Sequence, residues 1–220
     1  MLSVSRLGKR FGRVHVLRDI TFRCERGEIC AIVGENGSGK STLLAILAGQ
    51  LEADAGSASL GQVPLLGRSV TARASLGFVP EAANPPGRMT GEQLFGLVAA
   101  LKAAAPPSDA RVRELGLGHV LGQPIASLSL GQRRRLCLAA ALVGEPRVLL
   151  LDEPSNGLDA GGVDVLVTTL ERAASSGTTV ILATHDRPLV ARLGARVLEI
   201  ANGRITNAPA SGQGVSDEEE

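Results

Sequence analysis

Ile29-Cys-Ala-Ile-Val33 followed by Gly34-Glu-Asn-Gly37-Ser-Gly39-Lys40-Ser41 and then Thr42-Leu-Leu-Ala-Ile-Leu47-Ala48 joins three kinds of residue pattern in twenty positions. The apolar run reads as a buried strand, the middle fits G-x-x-x-x-G-K-[ST], and Leu43, Leu44, Ile46 and Leu47 recur at helical spacing. Such a strand, loop and helix make a phosphate cradle. Gly37 and Gly39 can adopt backbone conformations closed to other residues, so successive amide N–H groups can turn onto phosphate oxygens, assisted by the helix dipole. The expected contacts run from Gly34 through Asn36, Gly37, Ser38 and Gly39 to Thr42. Lys40 is expected to reach the β- and γ-phosphates, and the Ser41 hydroxyl to ligate Mg²⁺. By itself the loop specifies a nucleoside triphosphate and nothing about the machine it drives.

The bulk of the chain narrows the choice. Its 220 residues, 44% hydrophobic and 20% charged, suit one domain of the globular class with a sizeable core. A net charge of +1 and 2% aromatic residues argue against a nucleic-acid surface, which needs a basic field and stacking rings. Cys24, Cys30 and Cys137 are odd in number and lack metal-ligand spacing, so they read as buried thiols in a reducing compartment. No apolar run has the length of a membrane span and the first residues do not form a signal peptide, so membrane work is expected through a partner.

Alternating segments at Leu2 to Arg6 and Val14 to Cys24 predict antiparallel strands joined across a Gly8-Lys-Arg-Phe-Gly12 turn. Gly49 reads as the stop of the cradle helix, Gly56 to Val63 as a strand, and Leu76 to Val79 as a buried strand ending at Pro80. From Thr90 to Gly118 the pattern is helical. Thr90 is the expected cap of a helix with Leu94, Leu97, Val98 and Leu101 on one face, and Ser108 or Asp109 that of the next. Helix from Gly131 to Leu142, strand to Asp152, helix from about Gly161 to Ala174, and strands at Val180 to Ala183 and Val197 to Ile200 follow. Asn202-Gly203 is the signal for a hairpin turn. Strands alternating with helices after the loop imply an α/β fold with a largely parallel sheet. Residues 1–207 read as one domain with a helical subdomain inserted at about 82–145. Residues 208–220, ending Asp217-Glu-Glu-Glu220, read as a disordered acidic tail.

A second site feature is Val148-Leu-Leu-Leu-Asp152-Glu153, a hydrophobic strand delivering adjacent carboxylates to the end where ligands of parallel sheets collect. Strand alternation separates their tasks: Asp152 for Mg²⁺, Glu153 to orient or deprotonate the water that attacks the γ-phosphate. Taken without the loop upstream, Asp-Glu before Pro154 could equally be a solvated turn.

With Leu128-Ser129-Leu130-Gly131-Gln132 added, the chain from Leu2 to about Thr206 resembles the ATP-binding subunits of ATP-binding cassette (ABC) transporters. Those five residues are similar to the family signature L-S-G-G-Q. The resemblance implies a P-loop ATPase of the ABC type with an antiparallel β-layer and a helical subdomain, binding ATP with Mg²⁺. It also implies a head-to-tail pair in which Ser129, Gly131 and Gln132 of one copy meet the γ-phosphate held by the other copy or by a homologous ATPase subunit. Arg133 to Arg135, next in line, read as solvated. The same resemblance assigns an adenine-stacking role to Phe11, with Val16 a second contact, although packing of Phe11 into the β-layer fits the residues nearly as well. It makes Ser155-Asn-Gly-Leu-Asp159 a loop crossing the dimer interface, and His185, in Ala-Thr-His-Asp, the histidine that touches the γ-phosphate. Glu81 stands where the family usually carries Gln, a metal contact at the join of the two subdomains. A carboxylate accepts hydrogen bonds but cannot donate them when ionised, which alters the role.

Lys40, Glu153 and His185 are thus the expected catalytic set, and Ser41, Asp152 and Glu81 the expected metal ligands. The implied protein is an ATPase on the cytoplasmic face of a membrane, held there by separate transmembrane permease subunits and driving export, with no nucleic-acid partner. A non-transport ABC ATPase of DNA repair, chromosome organisation or translation, or a P-loop kinase for a small molecule, are the readings from other classes. The kinase leaves Leu128 to Gln132 unexplained.

Overall fold

The computed structural model of the chain describes residues 1–67 and 70–206, so the expected acidic tail lies outside the described residues. Strands β1 (Leu2–Phe11) and β2 (Val14–Cys24) open the fold as an antiparallel pair. β3 (Ile29–Val33) leads into α1 (Lys40–Leu47), followed by β4 (Ala55–Leu60), β5 (Val63–Pro64), α2 (Val70–Ala74) and β6 (Leu76–Val79). Helices α3 (Gly91–Lys102), α4 (Asp109–Glu114) and α5 (Leu130–Ala141) come next, with a 3-10 turn at Ile125–Ser127. The chain returns to the sheet with β7 (Val148–Asp152), α6 (Ala160–Ser175), β8 (Thr179–Ala183), α7 (Arg187–Arg192), β9 (Arg196–Ala201) and β10 (Arg204–Ile205).

The strands form two sheets. One is antiparallel in the order β2-β1-β4-β5; the other runs β10-β9-β3-β8-β7-β6, with only β10 antiparallel to its neighbour among the described residues. β1 is longer than its sequence suggested. It continues through Gly8, whose carbonyl accepts from Asp54 N–H at 2.9 Å, and absorbs irregularities of register before turning at Gly12-Arg13.

Alternation along the parallel strands sorts the core into two layers. Val148 and Leu150 of β7, Ile181 and Ala183 of β8, and Cys30 and Ile32 of β3 pack with α1 and the antiparallel sheet. Leu149 and Leu151, Val180 and Leu182, and Ala31 face the other way, toward α3, α5, α6 and α7. Each buried Leu, Ile or Val contributes about 1.5–3 kcal/mol relative to exposure, so a strand such as β7, buried at every residue, is held hard from both sides.

The helices after β6 start where their caps stand. Thr90 accepts from Gln93 N–H while Gln93 Oε1 accepts from Thr90 N–H, and Ser108 accepts from Arg111 N–H. The expected apolar face of α3 is corrected. Gly91, Leu94, Phe95 and Ala99 are buried, whereas Leu97 and Leu101 are 46% and 76% exposed. The reason is close approach at Gly91, where a methyl group would lie 2.9 Å from Leu121 and 3.0 Å from Leu136, which turns that stripe inward. Among the thiols, Cys24 and Cys30 are buried as expected. Their sulfurs and the Glu28 carboxylate gather within 4.8 Å, but the Arg196 guanidinium already fills the gap, 3.6 Å from Cys24 Sγ and 3.4 Å from Cys30 Sγ.

Seating of α5 on β6 depends on Gly77, where an added Cβ would fall 2.3 Å from the Ala141 carbonyl oxygen and 2.9 Å from Leu149. Gly77→Ala should therefore destabilise the fold by roughly 1–3 kcal/mol in urea unfolding. An unchanged midpoint would show that this contact does not hold the helix in place.

Candidate nucleotide-binding site

Four parallel strands end side by side at the site. Ala183 of β8 lies level with both Ile32 of β3 and Asp152 of β7, and Val79 of β6 is level with Leu151. The phosphate loop, the carboxylates, His185 and Glu81 all follow directly from these strand ends. Gly37 and Gly39 have φ of +80° and +107°, the left-handed region that favours glycine. Gly34 is required for space: a Cβ there would stand 2.3 Å from the Ile200 carbonyl oxygen. Lys40 is buried, and its Nζ donates to the carbonyls of Gly34 at 2.8 Å and Glu35 at 3.0 Å, keeping the ammonium within the loop's curl. Ser41 and Thr42 open helix α1, where N–H groups have no intrahelical partner. A cleft of about 1110 Å³ runs along the loop, lined by Val16, Asn36 and Ser38 on one side and by His185 and the β9–β10 hairpin on the other. Phe11 is 48% exposed rather than packed into the β-layer, with Lys9 Nζ 5.4 Å from its ring centroid.

The two carboxylates occupy different surroundings, as the alternation predicts. Asp152 is buried; burial raises its pKa, against the Ser41 hydroxyl and the Lys40 charge, which lower it. Its Oδ1 is buried without a hydrogen-bond partner, an arrangement that costs free energy unless another group completes it. An oxygen-lined corner of Asp152 and the Ser41 hydroxyl fits a hard divalent cation such as Mg²⁺. Glu153 is fully engaged instead. Oε1 faces His185 Nδ1 at 2.9 Å and Oε2 accepts from the Thr184 hydroxyl at 3.1 Å. Its backbone has φ +45°, an uncommon conformation for a residue with a side chain.

Glu81 turns toward Asn156 Nδ2, 3.4 Å away, so the altered residue accepts from the loop after β7. Ser129 caps α5: its Oγ accepts from Gln132 N–H at 3.2 Å, and Gln132 Oε1 accepts from Ser129 N–H at 2.8 Å. The Ser129 hydroxyl proton remains to be donated, and Gly131, in the first helical turn, presents an N–H outside the helix ladder. A Cβ on Gly131 would lie 3.5 Å from the Gly157 carbonyl oxygen, so the signature residues adjoin the loop from Ser155 to Asp159. One expectation is overturned. Arg134 is not solvated but 8% exposed, its guanidinium closed on four backbone carbonyls. Thr184 and Asp186 were also not singled out. Asp186 accepts from the Ser155 hydroxyl at 2.8 Å and caps α7. The signal for Thr184 was available: a hydroxyl beside His185 at the end of a wholly buried strand has few partners other than a neighbouring strand's carboxylate.

The hydrogen bond and charge of Glu153 raise the pKa of His185 above its ordinary 6.5. A raised histidine pKa means that this pairing is fully present below the unfolded value and is lost as pH rises through the folded one. An NMR titration of the His185 ring should therefore give a midpoint above 6.5 that falls back in Glu153→Gln. A midpoint at or below 6.5 in the parent chain would contradict the pairing.

Residues 17–156 match the ABC transporter family. A macrolide export ATP-binding/permease protein of Paracoccus denitrificans is 38% identical over 218 residues, covering 92% of this chain and 32% of that protein. The chain therefore spans about a third of that relative's length. An aliphatic sulfonates import ATP-binding protein of Albidiferax ferrireducens is 41% identical, covering 90% of this chain and 70% of that protein. Among solved structures, an ATP-binding subunit of an ABC transporter superposes with a TM-score of 0.84 at 28% identity, covering 93% of this chain and 88% of that one. Because the matched segment takes in the phosphate loop at Gly34 and the carboxylates at Asp152 and Glu153 together, the chain belongs to the ABC transporter family, as one of its ATP-binding ATPase cassettes.

Proposed function

We propose that this chain is the ATP-hydrolysing motor subunit of a transporter, pairing with a second copy or a homologous subunit on Mg-ATP and acting on separate transmembrane permease chains from the cytoplasmic face. The observation that carries this reading is the Glu153 carboxylate held by Thr184 and His185 beside the unpartnered Asp152 Oδ1, at the mouth of the phosphate loop. Among the described residues no helix is long and apolar enough to cross a membrane. Export is the direction we propose, on the forms Pro80-Glu81 and Leu128-Ser129-Leu130-Gly131-Gln132; the relatives' names include both export and import.

In this reading the loop amides and Lys40 bind the β- and γ-phosphates, and Phe11 with Val16 receives the adenine. Ser41 and Asp152, with Glu81 nearby, would hold Mg²⁺, which when bound neutralises phosphate charge. Glu153, its carboxylate turned by Thr184 and His185, accepts a proton from the water attacking the γ-phosphorus, and ADP departs with the β–γ bridging oxygen. His185 donates toward the γ-phosphate oxygens. The Ser129 hydroxyl and the N–H group of Gly131, set beside each other by the Gln132 cap, supply donors to the partner's γ-phosphate at the mouth of α5. Residues 82–145 form the helical insertion that passes closure to the membrane chains.

Glu153→Gln removes the base and should cut ATP turnover by about 10²–10⁴-fold. In light scattering the same variant should double in mass only with Mg-ATP. Retained turnover would remove Glu153 from the role, and an unchanged mass would remove the shared site. For the transport reading, the tagged chain drawn from gently solubilised membranes should bring a multi-span membrane protein in stoichiometric amount. Recovery of soluble proteins or nucleic acid alone would defeat it.

A further inference from the structure

Charged side chains are seldom buried without a carboxylate partner, and Arg134 is an exception. It rises from the second turn of α5, five residues beyond the signature serine. Nη1 donates to the carbonyls of Pro80 at 3.2 Å and Glu81 at 2.6 Å. Nη2 donates to the carbonyls of Asp152, at 3.1 Å, and Glu153. The four Nη hydrogens are thus spent on two separate segments, the loop after β6 and the turn after β7. Only a planar fork serves both at once; a lysine ammonium has three donors and no fixed splay.

What the fork grips matters more than the count. Glu153 stands in the left-handed region, φ +45°, a conformation that persists in a non-glycine residue only where the surroundings hold it. Its N–H donates to the Ala183 carbonyl at 2.8 Å, which ties the turn to β8. Its carbonyl is tied to α5 by Arg134. With both flanking peptide groups fixed, the side chain projects onto Thr184 and His185. The same guanidinium holds the backbone of Glu81, whose carboxylate meets Asn156. One side chain on the signature helix therefore touches the backbone of the loop at Glu81 and of both strand-end carboxylates.

We propose that Arg134 is a positioning residue for ATP hydrolysis. It locks the strained turn at Glu153 and the loop at Glu81 to α5, so that the carboxylate takes its working orientation when that helix is seated. It touches no reacting atom and acts through Glu153, so the proposal rests on the reading of Glu153 as the base. An error of about an ångström in such a group costs on the order of a hundredfold in rate without weakening the grip on phosphates.

The test is Arg134→Lys, which keeps the charge and loses the fork, alongside Arg134→Gln and Glu153→Gln in the full chain. Expected for Arg134→Lys are a melting temperature close to the parent's and Mg-ATP affinity within about threefold. Its kcat should fall by about tenfold or more, with a deeper fall for Arg134→Gln. A kcat within about twofold of the parent overturns the proposal. So does a fall in which affinity, melting temperature and kcat drop together, or failure of Arg134→Lys to fold, since each assigns the residue to stability alone. Parental turnover in Glu153→Gln defeats the reading of the base, whatever the Arg134 variants do. An inactive Glu153→Gln beside a fully active Arg134→Lys defeats the positioning role and leaves the base standing.

Discussion

Parallel pairing of β3, β8 and β7 in register is the constraint from which the site follows. Ala183 is level with Ile32 on one side and Asp152 on the other, so the chain leaves all three strands in the same plane. Hydrogen bonds one residue further on extend the join, from Glu153 N–H to Ala183 and from Thr184 N–H to Ile32. Register in a sheet buried on both faces resists slippage, because a one-residue shift would exchange the apolar sets facing α1 and α5. Polar groups separated by more than a hundred residues, from Lys40 to Asp152, are thereby brought to one place by core packing.

Burial then dictates how the polar groups at these strand ends behave. Lys40, Arg134, Asp152, Glu153 and Thr184 are all buried, and a buried polar atom without a partner is costly. Lys40 and the two Nη groups of Arg134 answer this with backbone carbonyls, while Arg134 Nε has no partner, and Glu153 answers it with a hydroxyl and an imidazole. Asp152 leaves one oxygen, Oδ1, unmatched. Glu81 stands outside this accounting, because it is exposed. A carboxylate there accepts from Asn156, a donor that lies within the loop following Asp152 and Glu153.

Much of this was legible because the relevant physics is local. Glycines that permit left-handed turns, a Thr or Ser three residues ahead of its N–H partner, and an apolar run ending in two carboxylates are all neighbours in the chain. The fold class and the loop at Gly34 follow from those. Where the reading missed, two local patterns were equally good. Leu94 with Leu97 and Leu101, or Leu94 with Phe95 and Ala99, both make a stripe on a helix, and only Leu121 and Leu136 lying against Gly91 choose between them. Gly8 likewise signals a turn until Asp54 and β4 pair with it.

By itself, then, the sequence determined the phosphate loop, the strand and helix alternation, and the chemical identity of the groups at Asp152, Glu153 and His185, since each depends on residues within a few positions. Tertiary structure decided what those groups touch. That Glu153 meets Thr184 and His185, that Glu81 meets Asn156, and that the middle of three consecutive arginines is buried all involve partners from 18 to 75 residues apart. Three adjacent arginines carry the same charge and the same side chain. The helix's rotation against β6 and β7 alone selects Arg134, because side chains one residue apart point about 100° away from one another.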